Sequence, residues 1–217
     1  MRDINTVVFD LGGVLIDWNP DYVYNEIFPI EEDKRWFYKN ICTSAWNEEQ
    51  DAGRSLREGT EMLVQKFPDH EKNIRIYYDR WEEMLGGPIR ETVEILRYLK
   101  FNTPTRLYAL TNWSAETFPV ALQRFEFLHW FDGRVVSGEE KTRKPFREIY
   151  QILVDRFQIN PSRAIYVDDN HRNLIPAADL GFHSIHFTTP ARFREELEKS
   201  GLFYQQANNP FPGAVSD

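Results

Sequence analysis

Asp10 closes the run Asn5-Thr6-Val7-Val8-Phe9-Asp10 and is followed, after Leu11, by Gly12 and Gly13. An apolar, β-branched run that ends in a carboxylate and then glycine describes a buried strand delivering an acid to its C-terminal edge, next to open space. A carboxylate in that position can attack an electrophilic phosphorus or carbon, or bind a hard cation. Three further features could work with it. Thr111 ends Tyr108-Ala109-Leu110-Thr111 and precedes Asn112; Lys144 ends Lys141-Thr142-Arg143-Lys144 before Pro145; Asp168 and Asp169 follow Ile165-Tyr166-Val167. A hydroxyl, an amine and a second pair of acids would supply what displacement at phosphorus needs besides a nucleophile: donors that hold the transferring group, and positive charge around it.

These groups are far apart in the chain, so they can act together only if the fold collects them. Strands are predicted after Asp10 at 106–111, 133–137, 164–168 and 183–187, each short, apolar and followed by polar or glycine residues. Between them lie helical patterns. Ile89, Val93, Leu96 and Leu99 share a face after Pro88, Ile149, Ile152 and Leu153 share the next, and Leu174, Ala177 and Ala178 the one after. Regular alternation of strand and helix implies right-handed crossovers and a doubly wound parallel α/β sheet. In such a sheet Asp10, Thr111 and Asp168 all reach one edge, where open α/β sheets bind ligands.

Residues 18–87 break the alternation and read as helices only: from about Asp21, over 31–40, from Ser55 with a capping box of Ser55 and Glu58, and over 70–85. The expected organisation is an α/β core of 1–17 and 88–203, an inserted all-helical cap of 18–87, and a loose tail of 204–217 rich in Gln, Asn, Pro and Gly. Asp17 to Pro20 and Gly86-Gly87-Pro88 are the expected hinges. The cap aromatics, Trp18, Trp36, Phe37, Tyr38, Trp46, Tyr77, Tyr78 and Trp81, are expected mainly to fill its own core, with a few facing the substrate.

The order and spacing of these features resembles the haloacid dehalogenase superfamily over residues 5 to about 190. That resemblance implies a Rossmann-like core and a nucleophilic Asp10 that forms an aspartyl-phosphate. It implies Thr111, Asn112 and Lys144 as groups binding the phosphoryl moiety, with Lys144 preferred over Lys141 because Pro145 and the helix after it match the family pattern. It also implies Mg²⁺ held by Asp10, the Gly12 carbonyl and Asp169, which aligns with the metal-binding Asp when counted back from Gly181, with Asp168 as a second metal candidate or an orienting acid. The first motif departs from most phosphatases of the family, which carry Asp where this chain has Gly12. It resembles instead the Asp-x-Gly group that includes an α-glucose-1-phosphate phosphatase.

General acid–base help is typically worth ~10² to 10⁴ in rate, so the missing acid bears on function. A sugar 1-phosphate with a good leaving group would lessen the need for one, and Asp17, Asp168 or His171 could replace it. Two alternatives stay open: a metal-free 2-haloacid dehalogenase, and a phosphate-binding domain without turnover. The favoured expectation is a Mg²⁺-dependent hydrolase of a small phosphorylated metabolite, with a sugar phosphate preferred.

Bulk properties narrow the rest. The 217 residues are 41% hydrophobic and 15% aromatic, carry a net charge of −8 and contain no apolar run near the roughly 20 residues of a membrane helix. Scattered basic residues and net negative charge argue against nucleic acid as a partner. The single cysteine, Cys42, is expected to be a small buried hydrophobe. Absence of a signal-peptide pattern leads to an expected cytoplasmic location, and oligomeric state is left open.

Overall fold

A computed structural model describes residues 4–203. The expected tail at 204–217 lies outside the described residues. The chain begins with β1 (Thr6–Phe9), then forms β2 (Ile16–Trp18) and, after a helical block, β3 (Leu85–Pro88). The remaining strands are β4 (Arg106–Thr111), β5 (Gly133–Val136), β6 (Ala164–Asp168) and β7 (His183–His186). Five of them make one sheet in the order β5-β4-β1-β6-β7, and every pairing in it is parallel. The order reverses at β1, so the sheet is doubly wound, with Asp10, Asn112 and Asp169 immediately beyond the ends of its three central strands.

Period-two alternation explains the two layers that cover the sheet. Val7, Phe9, Leu107, Ala109, Ile165 and Val167 face one way, toward Ile95, Leu96 and Leu99 of α6 (Arg90–Asn102) and Phe193 and Leu197 of α11 (Pro190–Lys199). Val8, Tyr108, Leu110 and Tyr166 face the other way, toward Ile149, Tyr150 and Leu153 of α9 (Arg147–Phe157) and Leu174 and Ala177 of α10 (His171–Asp179). Strands buried on both faces read as unbroken apolar runs, and this is why their bounds were visible in the sequence. Pro88 does not open α6; it ends β3 opposite Ile16, and the buried face of the helix is Thr92, Ile95, Leu96 and Leu99.

The helical block between β2 and β3 holds α1 (Asp21–Ile27), α2 (Glu31–Asn40), α3 (Ser44–Asp51), α4 (Leu56–Lys66) and α5 (Glu71–Asp79). The single helix expected over 70–85 is shorter. It ends at Asp79, and a 3-10 turn over Trp81–Met84 leads into β3. Helix α3 was not anticipated. Its start is marked by the Thr43 hydroxyl, which accepts the Trp46 N–H at 3.1 Å, as Ser55 does for Glu58 N–H at 3.2 Å ahead of α4. Tyr24, Phe28, Phe37, Trp46 and Tyr77 pack ring against ring inside the block, and Cys42 is buried among them.

The two segments expected as separate hinges are joined. β2 and β3 pair antiparallel, Asn19 N–H donates to the Met84 carbonyl at 2.9 Å, and Ile89 N–H donates to the Leu15 carbonyl at 2.8 Å. A two-stranded ribbon therefore carries the helical block at the two segments expected as hinges.

Candidate active site

The end of β1 places Asp10 beside β6, with Asp10 N–H donating to the Val167 carbonyl at 2.9 Å. Leu11 N–H donates to Asp10 Oδ1 at 2.7 Å, which leaves Oδ2 facing Lys144. Lys144 is the pivot of the site. Its ammonium lies 2.9 Å from Asp10 Oδ2 and 2.7 Å from Asp168 Oδ2, and it is almost wholly buried. Asn112 holds it there: the amide Oδ1 accepts the Lys144 N–H at 2.8 Å and Nδ2 donates to the Lys144 carbonyl at 3.0 Å. With its amide engaged in this way, Asn112 is a positioning residue for the lysine. Lys141 is exposed and takes no part in the pair.

Asp168 is fully buried and surrounded by donors. Lys144 Nζ and the Tyr166 hydroxyl, at 2.6 Å, reach Oδ2; Asn170 N–H, at 2.8 Å, reaches Oδ1; Asn173 Nδ2 reaches both oxygens at 3.1 and 3.2 Å. Burial acts to raise its pKa, but the Lys144 charge and these hydrogen bonds outweigh it and hold the carboxyl below the usual range. Asp168 is thus an acceptor that orients the lysine. Asp10 is in the opposite state. Burial, followed by the nearby Asp168 charge, pushes its carboxyl upward despite Lys144. Lys144 is itself raised: burial would lower it, but the two acids more than compensate.

Asp10, Asp168 and Asp169 each place a carboxylate oxygen within 4.8 Å of the others. Three carboxylates and one ammonium leave an excess of negative charge at the cavity wall, which a hard divalent cation with oxygen ligands would relieve. Asp10, Asp169 and the Gly12 backbone, all on the cavity wall, fit such an ion, and Asn173 Oδ1 is a buried acceptor with no protein partner among the described residues. Gly13 is required by this packing, since it has φ +73° and a Cβ there would come 2.2 Å from Asp169 Oδ2. Gly12 is different: a Cβ at that position meets no atom within 4 Å.

The cavity above these groups has a volume of about 280 Å³. Asp10, Gly12, Lys144 and Asp169 line one side, with Asn112, Trp113 and Ser114 beyond β4. Thr111 is buried at the strand end and does not line it. The opposite wall comes from the helical block and ribbon: Trp18, Asn47, Glu48, Asp51, Tyr78 and Trp81. Trp81 packs edge-on against Trp113, with ring centroids 5.8 Å apart. Glu48 pairs with Arg143 at 2.9 Å and also with Arg172, closing the helices onto the sheet edge. The sequence did not reveal Asn47, Glu48, Asp51 or Arg172. The Thr43 cap signal could have found α3, which bears the first three; no local signal marks Arg172.

The doubly wound sheet thus brings an aspartate beyond its first strand, a buried lysine and two further acids to one edge. Residues 4–181 match the haloacid dehalogenase-like hydrolase family, and the chain belongs to it. It is 25% identical to a sesquiterpene phosphatase of Aspergillus oryzae over 83% of this chain and 88% of that protein. It is 23% identical to a phosphorylated carbohydrates phosphatase of Thermotoga maritima over 84% of both. In fold it is similar to a haloacid dehalogenase family enzyme of Bacteroides thetaiotaomicron, crystallised as a mutant with magnesium and inorganic phosphate. The TM-score is 0.63, with 20% identity over 85% of this chain and 94% of that one. Among the described residues, no helix is long and apolar enough to cross a membrane.

Proposed function

We propose that this hydrolase is a Mg²⁺-dependent phosphatase acting on a small phosphorylated metabolite, with a sugar phosphate favoured, through an aspartyl-phosphate on Asp10. The observation that carries this reading is the buried Lys144 held between Asp10 and Asp168, with Asp169 beside them at a cavity mouth. In the first step Asp10 Oδ attacks phosphorus and the ester oxygen departs; in the second, water attacks the same phosphorus and frees Asp10. Lys144 neutralises charge on the nucleophile and on the phosphoryl oxygens, and Asp168 keeps it aimed. Asp10, Gly12 and Asp169 would hold Mg²⁺, with Asp168 behind them, and the ion when bound supplies charge stabilisation for the transferring group.

Thr111 is buried at the end of β4 and does not line the cavity, so Lys144, with Ser114 in the wall, would donate to the phosphoryl oxygens in its place. Trp18, Tyr78, Trp81 and Trp113 interleaved with Asn47 and Arg172 suit a ligand that is apolar on its ring faces and hydroxylated at its edges, as a sugar is. The relatives named for phosphorylated carbohydrates and for a sesquiterpene phosphate both support phosphomonoester chemistry. A metal-free dehalogenation has no use for an Asp168-Asp169 pair, so the phosphatase reading ranks above it.

The test is phosphate release from sugar 1-phosphates, sugar 6-phosphates and a prenyl phosphate, with Mg²⁺ and with chelator, using Asp10→Asn as control. Metal-dependent release that disappears in Asp10→Asn is expected. Release from no ester, or release that chelator leaves untouched, would overturn the proposal.

A further inference from the structure

The phosphatase reading, on which this inference rests, leaves the leaving oxygen without a proton donor at position 12. Crowding at the first side-chain atom is not the obstacle, because a Cβ at Gly12 would meet nothing within 4 Å. The replacements suggested by sequence are placed elsewhere. Asp17 is bonded to the Tyr22 hydroxyl in the β2 ribbon, and His171 packs edge-on against His186 at 5.9 Å; neither lines the cavity. Asp168 is saturated with donors and ionised. Of the acids that do line the cavity, Asp10 is the nucleophile, Asp169 faces the cation, and Glu48 is bound by Arg143 and Arg172.

One acid remains. Asp51 is the last residue of α3 and lines the same cavity as Gly12 and Asp10. Its main chain is fixed to the core, since the Ser137 hydroxyl donates to the Asp51 carbonyl. Its carboxylate accepts Asn47 Nδ2 at 3.1 Å and a backbone hydrogen bond from Ser114, and no ion pair within 4.0 Å involves it among the described residues. The charged and titratable groups around it are Glu48 on its own helix, Arg143 and Lys144 from the loop before α9, and Tyr77 and Tyr78 from α5. Burial, then the Glu48 charge, pushes its carboxyl up to about 7 against Ser114, Arg143 and Lys144, so both protonation states are populated near neutrality.

We propose that Asp51, reaching into the cavity from the helical block, is the general acid and base that stands in for the carboxylate missing at Gly12. In the first step its proton passes to the ester oxygen as the Asp10 oxygen–phosphorus bond forms and the phosphorus–ester oxygen bond breaks, releasing an alcohol. In the second, the Asp51 carboxylate takes a proton from water as the water oxygen bonds to phosphorus and the Asp10 bond breaks, releasing phosphate and restoring both acids.

The experiment compares kcat/KM for an alkyl phosphate and for p-nitrophenyl phosphate, whose leaving group needs no proton, in the Mg²⁺-loaded wild type and Asp51→Asn. Asp51→Asn is expected to lose ~10² to 10⁴ on the alkyl ester and less than about tenfold on the aryl ester. Adding Gly12→Asp to that variant is expected to recover at least about tenfold on the alkyl ester. A folded Asp51→Asn that loses both esters equally, or keeps the alkyl ester, overturns the proposal. If the variant does not fold, the wild-type pH profile decides: an alkyl-specific fall in kcat/KM above pH ~7 supports Asp51, and identical profiles for both esters overturn it. Failure of the wild type to hydrolyse either ester is a different result, since it removes the phosphatase reading itself and this proposal with it.

Discussion

Two buried lysines, one in the helical block and one at the sheet edge, have nearly the same inventory of partners and opposite electrostatics. Lys34 of α2 is 5% exposed and pairs with Asp21 at 3.1 Å and Glu31 at 3.0 Å, carboxylates that are themselves 36% and 58% exposed. Lys144 is 1% exposed and pairs with Asp10 and Asp168, which are 10% and 0% exposed. At Lys34 water shares the solvation of both anions, so the cluster is balanced and serves to tie α2 to α1. At Lys144 the two anions compete for one cation where burial strips most of their hydration, and one of them, Asp10, is pushed toward protonation. A balanced cluster needs nothing more. The unbalanced one is poised to take a further cation, and this separates a structural ion pair from a candidate catalytic one.

The contrast can be broken most severely at the nucleophile. Asp10→Asn should lower phosphate release by on the order of 10⁴ or more. The same change should leave the metal-free protein as stable as wild type or more so at pH 8, because it removes one of the two competing anions; a thermal melt alongside the assay measures both. Next comes Lys144→Met, which strands two buried carboxylates and should cost about 3–5 kcal/mol in urea unfolding of the metal-free protein. Lys34→Met should cost about 1 kcal/mol or less, since its partners reach water, and should leave turnover within about twofold. Equal losses from the two lysine variants would remove the distinction drawn between them.

The pH dependence sharpens the comparison further. Asp10 has a folded-state pKa raised to about 8 from the model-compound 3.8, so the native state holds a proton that the unfolded chain has lost. Its contribution to stability is complete below the ordinary carboxylate pKa and falls away as pH rises through about 8. Metal-free protein should therefore lose stability from this site between mildly acidic and mildly basic pH. Mg²⁺, which binds the ionised form, should raise Tm more at pH 8 than at pH 5.5. Asp169→Asn should flatten that difference, as differential scanning fluorimetry with and without Mg²⁺ would show.

Much of the α/β part could be read from the chain because its strands are short apolar runs buried on both faces. Residues 106–111 and 164–168 coincide with β4 and β6. The helical block was less legible. Its existence followed from the broken alternation, but α3 escaped notice because Ser44-Ala45-Trp46-Asn47-Glu48-Glu49-Gln50-Asp51 buries only Trp46 and Gln50, too little for an apolar stripe. Its stability comes from the Thr43 cap and from packing of Trp46 on Tyr77 and Tyr78. The polar residues that line the cavity from α3, Asn47, Glu48 and Asp51, are therefore the ones the sequence concealed, whereas Trp18, Tyr78 and Trp81 were among its aromatic candidates.

Sequence alone determined the order of the chemistry along the chain: an acid, a hydroxyl with an amide, a lysine and an acid pair, of which all but the lysine stand at the end of an apolar run. It did so because strand burial and strand-end placement are local properties of residue type. The tertiary structure decided the rest. Lys144 and not Lys141 enters the pocket because Asn112, 32 residues away, grips its backbone. Asp168 became an orienting acceptor because Tyr166, Asn173 and Lys144 converge on it. Asp51 shares a cavity with Gly12 because the helical block carried on β2 and β3 lies over the sheet edge. Protonation state and partner choice depend on which distant groups share a desolvated volume, and only the folded chain specifies that.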